Sequence, residues 1–220
     1  LARRSPGTHL GAVRASRRRM AYHDELTGLP ARRAFNDALM RLDSRYALAI
    51  VDIDHFKKFN DTYGHDTGDQ VLRMVASRLA RVSGGGEAFR FGGEEFCIVF
   101  PRITVREALP YLERLRADVA DAPFILRGKD RPVRTIQDRA RAERESRLET
   151  HVTISIGVAG ANGKFVNVDD NLRAADKALY RAKKNGRNRV EVATASRKVL
   201  TIPAQKEDEA SSPEASTPFR

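Results

Sequence analysis

Hydrophobic and polar positions change period several times along the chain, and each change predicts an element. Tyr46 to Ile53 (YALAIVDI) is almost continuously apolar, the pattern of a central strand buried on both faces. Phe89 to Phe100 holds two short runs rich in Phe, Ile and Val around Gly92-Gly93. That arrangement predicts a β-hairpin, because glycine takes positive φ and lets the chain reverse tightly. Thr150 to Ala159 (THVTISIGVA) reads as a further β-branched strand ending at Gly160, and residues 189–193 (RVEVA) as an edge strand.

Between the strands the apolar positions recur with helical spacing. A helix is expected from Pro30, in its first turn, to about Leu42, with Phe35, Leu39 and Leu42 on one side. His55 to Asn60 predicts a short helix directly after the first strand, and Asp61 to Asp69 a polar loop. Gly68-Asp69 then opens a helix whose stripe is Val71, Leu72, Val75 and Leu79. Arg106 to about Val119 follows with Leu109, Leu112, Leu115 and Val119 inward. Asp169 to Lys184 carries Leu172, Ala175 and Leu179 and finishes in Lys183-Lys184-Asn185-Gly186-Arg187, a glycine C-cap with basic residues. Strands and helices alternate, but the hairpin makes the sheet mixed rather than wholly parallel. The expected fold is a single α/β (α+β) domain, a five-stranded mixed sheet covered by helices.

The margins read differently. Leu10 to about His23 is helix-compatible, a lever for an upstream domain, and Asp24 to Pro30 is a wide turn. Residues 122–149 are strongly charged and lack an apolar stripe, which fits an exposed helix or a disordered insertion equally. Beyond Thr194 the Pro, Ser, Ala and Glu content predicts a disordered tail. The domain therefore runs from residue 24 to 193, between an N-terminal segment (1–23) and a tail (194–220).

The chain has 220 residues, 41% of them apolar, enough for one sizeable core. It begins at Leu1 rather than Met, so an upstream sensory or dimerising region is expected to be missing from it. No apolar run approaches the roughly 20 residues that cross a bilayer. A lone cysteine, Cys97, excludes an internal disulfide and reads as a buried thiol. The net charge of +11 favours anionic partners. Its clusters, Arg17 to Arg19 and Arg127 to Arg147, read as solvated faces, and no nucleic-acid partner is expected. His55 and His65 have no zinc spacing.

The candidate chemistry lies in carboxylates. Glu94 and Glu95 sit side by side at the hairpin tip, where a plain turn gains nothing from their repulsion. Asp52 and Asp54 end a buried strand, a costly place for charge without water or a cation. If the two strands are neighbours, Asp52 and Glu94 converge. Oxygen ligands of this kind suit Mg²⁺ or Mn²⁺ shared with substrate phosphates. The amides opening the helix after Asp54, with Lys57, form an anion site. Asn60 and Asp69 match the donor and acceptor edge of a purine, although Asp69 also suits a helix's first turn.

Taken together these residues resemble the GGDEF family, the diguanylate cyclases. The resemblance rests on Asp24-Glu25-Leu26-Thr27-Gly28-Leu29-Pro30, Asp52 to Lys57, Asn60-Asp61, Gly64-His65, Gly68-Asp69, and Gly92-Gly93-Glu94-Glu95-Phe96. Ser155 to Ala159, Ala175 to Tyr180, Lys183 and Arg187 complete it. It implies a nucleotide-cyclase-like fold with the signature turn on the hairpin. It also implies condensation of two GTP into cyclic di-GMP with release of two pyrophosphates. Asp52, the carbonyl of Ile53 and Glu94 would hold two Mg²⁺ or Mn²⁺ per active site. Asn60 and Asp69 would read guanine. The amides of His55 and Phe56, with Lys57, Lys183 and Arg187, would bind phosphates. Gly93 would let the nucleotide lie against the turn, and Glu94 with Glu95 would serve the reacting 3′-hydroxyl.

Each domain binds one GTP and the product joins two, so a homodimer is implied. The implied place is the cytoplasm, with a membrane anchor on the full-length protein still compatible. The family's Arg-x-x-Asp product site falls on Ser83 and Gly86, which supply no guanidinium fork, so feedback there is expected to be absent. Ala31 stands where Asn is common. The rival reading is a catalytically silent module that binds GTP or cyclic di-GMP.

Overall fold

The computed structural model describes residues 22–126, 149–162 and 167–193. Residues 10–21 of the helix expected over Leu10–His23, most of the charged segment and the tail beyond Thr194 lie outside those residues. Five strands form one sheet in the order β2-β3-β1-β6-β7: β1 (Arg45–Ile53), β2 (Glu87–Gly92), β3 (Glu95–Pro101), β6 (Ile154–Asn162) and β7 (Val190–Val192). Only β7 runs parallel to its neighbour; the other three pairings are antiparallel. The five-stranded mixed sheet is as expected. A separate two-stranded sheet pairs β4 (Phe124–Ile125) with β5 (Glu149–Thr150), at the two ends of the charged segment.

Strand β1 lies between β3 and β6, which explains its unbroken apolar pattern. Its odd positions, Ala47, Ala49, Val51 and Ile53, pack with α3 (His65–Leu79) and α4 (Val105–Ala120). Its even positions, Tyr46 and Leu48, pack with α1 (Arg32–Leu39) and the start of α5 (Val168–Lys184). Helix α4 is fixed by a capping box, with Thr104 Oγ1 accepting from the Glu107 amide and the Glu107 carboxylate accepting from the Thr104 amide. Two glycines of β6 allow close backbone approach, Gly157 by α5 and Gly160 by the neighbouring strand β1. A Cβ on Gly157 would overlap the backbone of α5 at Ala175 O and Leu179 N, and one on Gly160 would overlap Tyr46 O.

The structure corrects four sequence expectations. Pro30 does not enter a helix: it bridges His23, Ala31 bridges Arg90, and α1 begins at Arg32. Asp61 to Asp69 is not a loop. Helix α2 (Phe56–Tyr63) and α3 meet at Gly64 alone, whose φ of 85° and ψ of 158° turn the chain between them. Gly68-Asp69 accordingly lies inside α3 rather than opening it, and the first-turn acid is Asp66. Finally, β6 starts at Ile154 and runs past Gly160, while Glu149 and Thr150 leave it to pair with β4.

Candidate active site

The register of β1 against β3 sets Asp52 directly opposite Glu95, so the hairpin tip delivers Glu94 to the end of β1. Asp52 is 4% exposed, and its Oδ2 lies 2.8 Å from Lys183 Nζ at the end of α5. Burial pushes the Asp52 carboxyl above its ordinary range despite that ammonium. Glu94 is also pushed up, first by burial, then by the charge of Asp52, with Glu95 adding to it. The mutual effect records that the acids share one site. Carboxylates crowded in this way, beside an exposed backbone turn, suit a divalent cation. Asp52, Glu94 and the Ile53 carbonyl fit it. The set has two acids rather than three, and among the described residues no cluster of three metal-binding side chains occurs.

Asp54 has a different task. Its carboxylate accepts from Thr153 Oγ1 (2.7 Å), Ser155 Oγ (2.6 Å) and the Asn188 amide (3.0 Å). It therefore ties the end of β1 to β6 and to the turn after α5, where Arg187 (φ 62°) and Asn188 (φ 44°) take left-handed conformations. Asn188 is held again by Arg116 Nη1 at 2.8 Å. That turn places Arg187 on the same side as Lys183. Its fixing by a buried acid was not read from sequence, where Asp54 stood only as a second carboxylate.

His55 precedes α2 with φ 58°, and no side chain caps the helix, so its first amides stay available to an anion. Lys57 is exposed beside them. On the opposite end of the cleft, Asn60 faces Gly68. Asn60 Oδ1 is buried without a hydrogen-bond partner, a costly state unless a ligand donor meets it. Asp69 is half-buried one residue beyond Gly68. The structure thus brings Asp52, Ile53, Glu94, Glu95, Gly93 and Lys183 together, with His55, Phe56, Lys57 and Arg187 at the same end of the sheet. Asn60 and Asp69 flank the α2–α3 junction.

A Cβ on Gly68 would overlap Asn60 Oδ1, the end of a flexible side chain. Gly68→Ala is therefore expected to displace the Asn60 amide at little cost in stability. Affinity for a ligand that donates to Asn60 should fall about tenfold, the loss of one hydrogen bond from a buried polar group, with the melting temperature nearly unchanged.

Sequence reasoning also missed Arg90. Its guanidinium pairs with Asp24 at 2.6 Å and donates to Gly93 O at 2.9 Å, bracing the hairpin turn against the Asp24–Pro30 turn. Burial raises Asp24, but hydrogen bonds from Arg90 and Thr27 outweigh it and hold the carboxyl low. Arg32 lies over the Phe91 ring at 4.4 Å. The opening motif thus acts as a brace for the acidic turn.

These features define a cluster of acids at the end of a mixed sheet, with an uncapped helix start beside it and a buried, unpaired amide oxygen beyond. Residues 21–137 and 125–189 match the family described as Diguanylate cyclase, GGDEF domain. The chain is 38% identical over 179 residues to the response regulator PleD of Caulobacter vibrioides, covering 78% of this chain and 36% of that protein. It is 36% identical over 184 residues to the diguanylate cyclase DgcP of Pseudomonas aeruginosa, covering 80% and 24%. It is similar to the crystal structure of the coiled coil and GGDEF domain of DgcB from Caulobacter crescentus in complex with c-di-GMP. The TM-score there is 0.69 at 34% identity, with 84% of this chain and 92% of that one covered. The chain belongs to the GGDEF family. It spans only 36% and 24% of the lengths of the two curated relatives.

Proposed function

We propose that residues 24–193 form a diguanylate cyclase domain that condenses two GTP into cyclic di-GMP and releases two pyrophosphates. The observation that carries this reading is the meeting of Asp52 and Glu94, both with raised pKa, at the end of the sheet beside the uncapped start of α2. Asn60 and Asp69 read the guanine edge. The amides of His55 and Phe56, with Lys57 and Arg187, take the triphosphate.

Asp52, the Ile53 carbonyl and Glu94 hold Mg²⁺ or Mn²⁺, two per active site. Bound there, the ions would supply positive charge to the attacking and leaving oxygens of an in-line displacement. Lys183 holds Asp52 in this structure; once that carboxylate has another cation, the ammonium is free for the phosphates. Glu94 and Glu95 orient the 3′-hydroxyl and receive its proton. Gly93, with φ 52° and no side chain, lets the nucleotide lie against the turn. The product joins two nucleotides, so the working species is a two-fold homodimer, with each 3′-oxygen attacking the other GTP's α-phosphorus. An upstream sensory or dimerising region, and a cytoplasmic place for the domain, complete the proposal.

The test is incubation of the chain, at high concentration to favour pairing, with GTP and Mg²⁺ or Mn²⁺, followed by separation of the nucleotides. Cyclic di-GMP and pyrophosphate are expected; GTP bound but unchanged at every concentration would favour the silent module instead.

Feedback by product through the Ser83–Gly86 loop is absent in this proposal. Gly84 and Gly85 both have φ of 75°, and a Cβ on Gly86 would lie 2.6 Å from Phe100 Cε1. The loop is thus closed around its glycines, with Tyr111 stacked on Phe100. Initial rates should be unchanged by low-micromolar cyclic di-GMP; strong inhibition that persists after changes at other surfaces would contradict this.

A further inference from the structure

A second cavity of about 450 Å³ opens between the far side of α2 and residues 150–153. Its apolar wall, Phe59 and Val152, belongs to the core on the odd face of β1, and Asp54 and Thr153 close it just past the end of β1. Its wall is aromatic. Phe59 and Tyr63 pack with ring centroids 4.8 Å apart, Phe59 meets Phe124 edge-on, and Tyr63 keeps 38% of its surface exposed.

Its rim carries one cation and further hydrogen-bond donors. Lys58 is exposed and, among the described residues, makes no ion pair, while His55 and His151 stand at the same rim. His151 Nδ1 lies 3.1 Å from Ala120 O, so that nitrogen is the donor and Nε2 stays available. The one acid in the lining, Asp54, already accepts from Thr153, Ser155 and the Asn188 amide, so its oxygens are partnered within the protein.

We infer that this cavity is a binding site for a small aromatic anion, a single planar ring bearing a phosphate or carboxylate. The ring stacks on Tyr63 and Phe59, and the anionic group meets Lys58 and His151. The volume accommodates a ligand of that size. The cavity shares His55 with the phosphate-binding turn, and Thr153 with the Asp54 tie, so an occupant touches the supports of the catalytic cleft without entering it.

The test is titration of the ¹⁵N-labelled chain with phenyl phosphate, benzoate, phenol and inorganic phosphate, followed by amide shifts. Phenyl phosphate or benzoate should shift Lys58, Phe59, Tyr63 and residues 150–153 and bind at least tenfold more tightly than phenol or phosphate alone. Which of the two binds better identifies the anionic group. Lys58→Ala should weaken that binding at least fivefold, and Lys58→Arg should retain it. Shifts confined to Lys57, Asn60 and Asp69, equal binding of phenol or free phosphate, or an affinity unchanged in Lys58→Ala would overturn the site. None of these outcomes depends on turnover of GTP, so failure here leaves the proposed reaction to its own assay.

Discussion

Glu94→Gln is expected to abolish cyclic di-GMP formation while leaving the fold as stable as before or slightly more so. Glu94 sits at the hairpin tip, its carboxyl pushed up by burial and by the charge of Asp52. Replacing it with the isosteric amide removes one of the crowded charges, so the apo protein loses repulsion rather than support. The same change removes an anionic oxygen from the cation site and from the reacting hydroxyl. Loss of a metal-binding carboxylate exceeds the roughly 10–100-fold cost of changing a residue that merely supports one, so turnover should fall at least about 100-fold. Thermal unfolding and separation of the reaction nucleotides check both halves. Activity within about tenfold of the parent would mean that the acid is only a solvated turn residue.

Gly157→Ala is expected to have the largest effect on stability. Gly157 pairs with Ile50 in the central ladder and faces α5, where a methyl group would overlap Ala175 O and Leu179 N. Those atoms are helix backbone and cannot swing aside as the Asn60 side chain can. Helix α5 would have to lift from β6 and carry Lys183 away from Asp52. Overpacking of this kind costs about 3 kcal/mol or more when backbone must move. Chemical denaturation should show that loss, accompanied by weaker nucleotide binding. A stability within about 0.5 kcal/mol of the parent, the range of neutral surface changes, would show that α5 packs less closely than described.

The contrast between these two glycine sites, 68 and 157, bears on what a single sequence discloses. Strand β1 was legible because burial on both faces leaves no polar position until Asp52, and the hairpin because Gly92-Gly93 separates two apolar runs. The acids at their ends followed from the same signals. The α2–α3 junction was not legible. Two glycines in a polar stretch read as loop markers, yet Gly64 makes a one-residue turn and Gly68 clears space for Asn60. Asp54 and Arg90 were hidden for another reason. Their partners lie 99, 101 and 134 residues away for Asp54, and 66 for the Arg90–Asp24 pair. No local period or cap records such pairings. The start of β6 was misplaced for the same cause, since Glu149 and Thr150 pair with Phe124 and Ile125 in a separate sheet.

The most direct measurement is Mn²⁺ binding, followed by electron paramagnetic resonance in the presence of a non-hydrolysable GTP analogue. The account predicts two bound ions per chain, with binding sharply weakened in Asp52→Asn and in Glu94→Gln alike. Full Mn²⁺ affinity in either variant would contradict a cation site shared between the end of β1 and the hairpin tip.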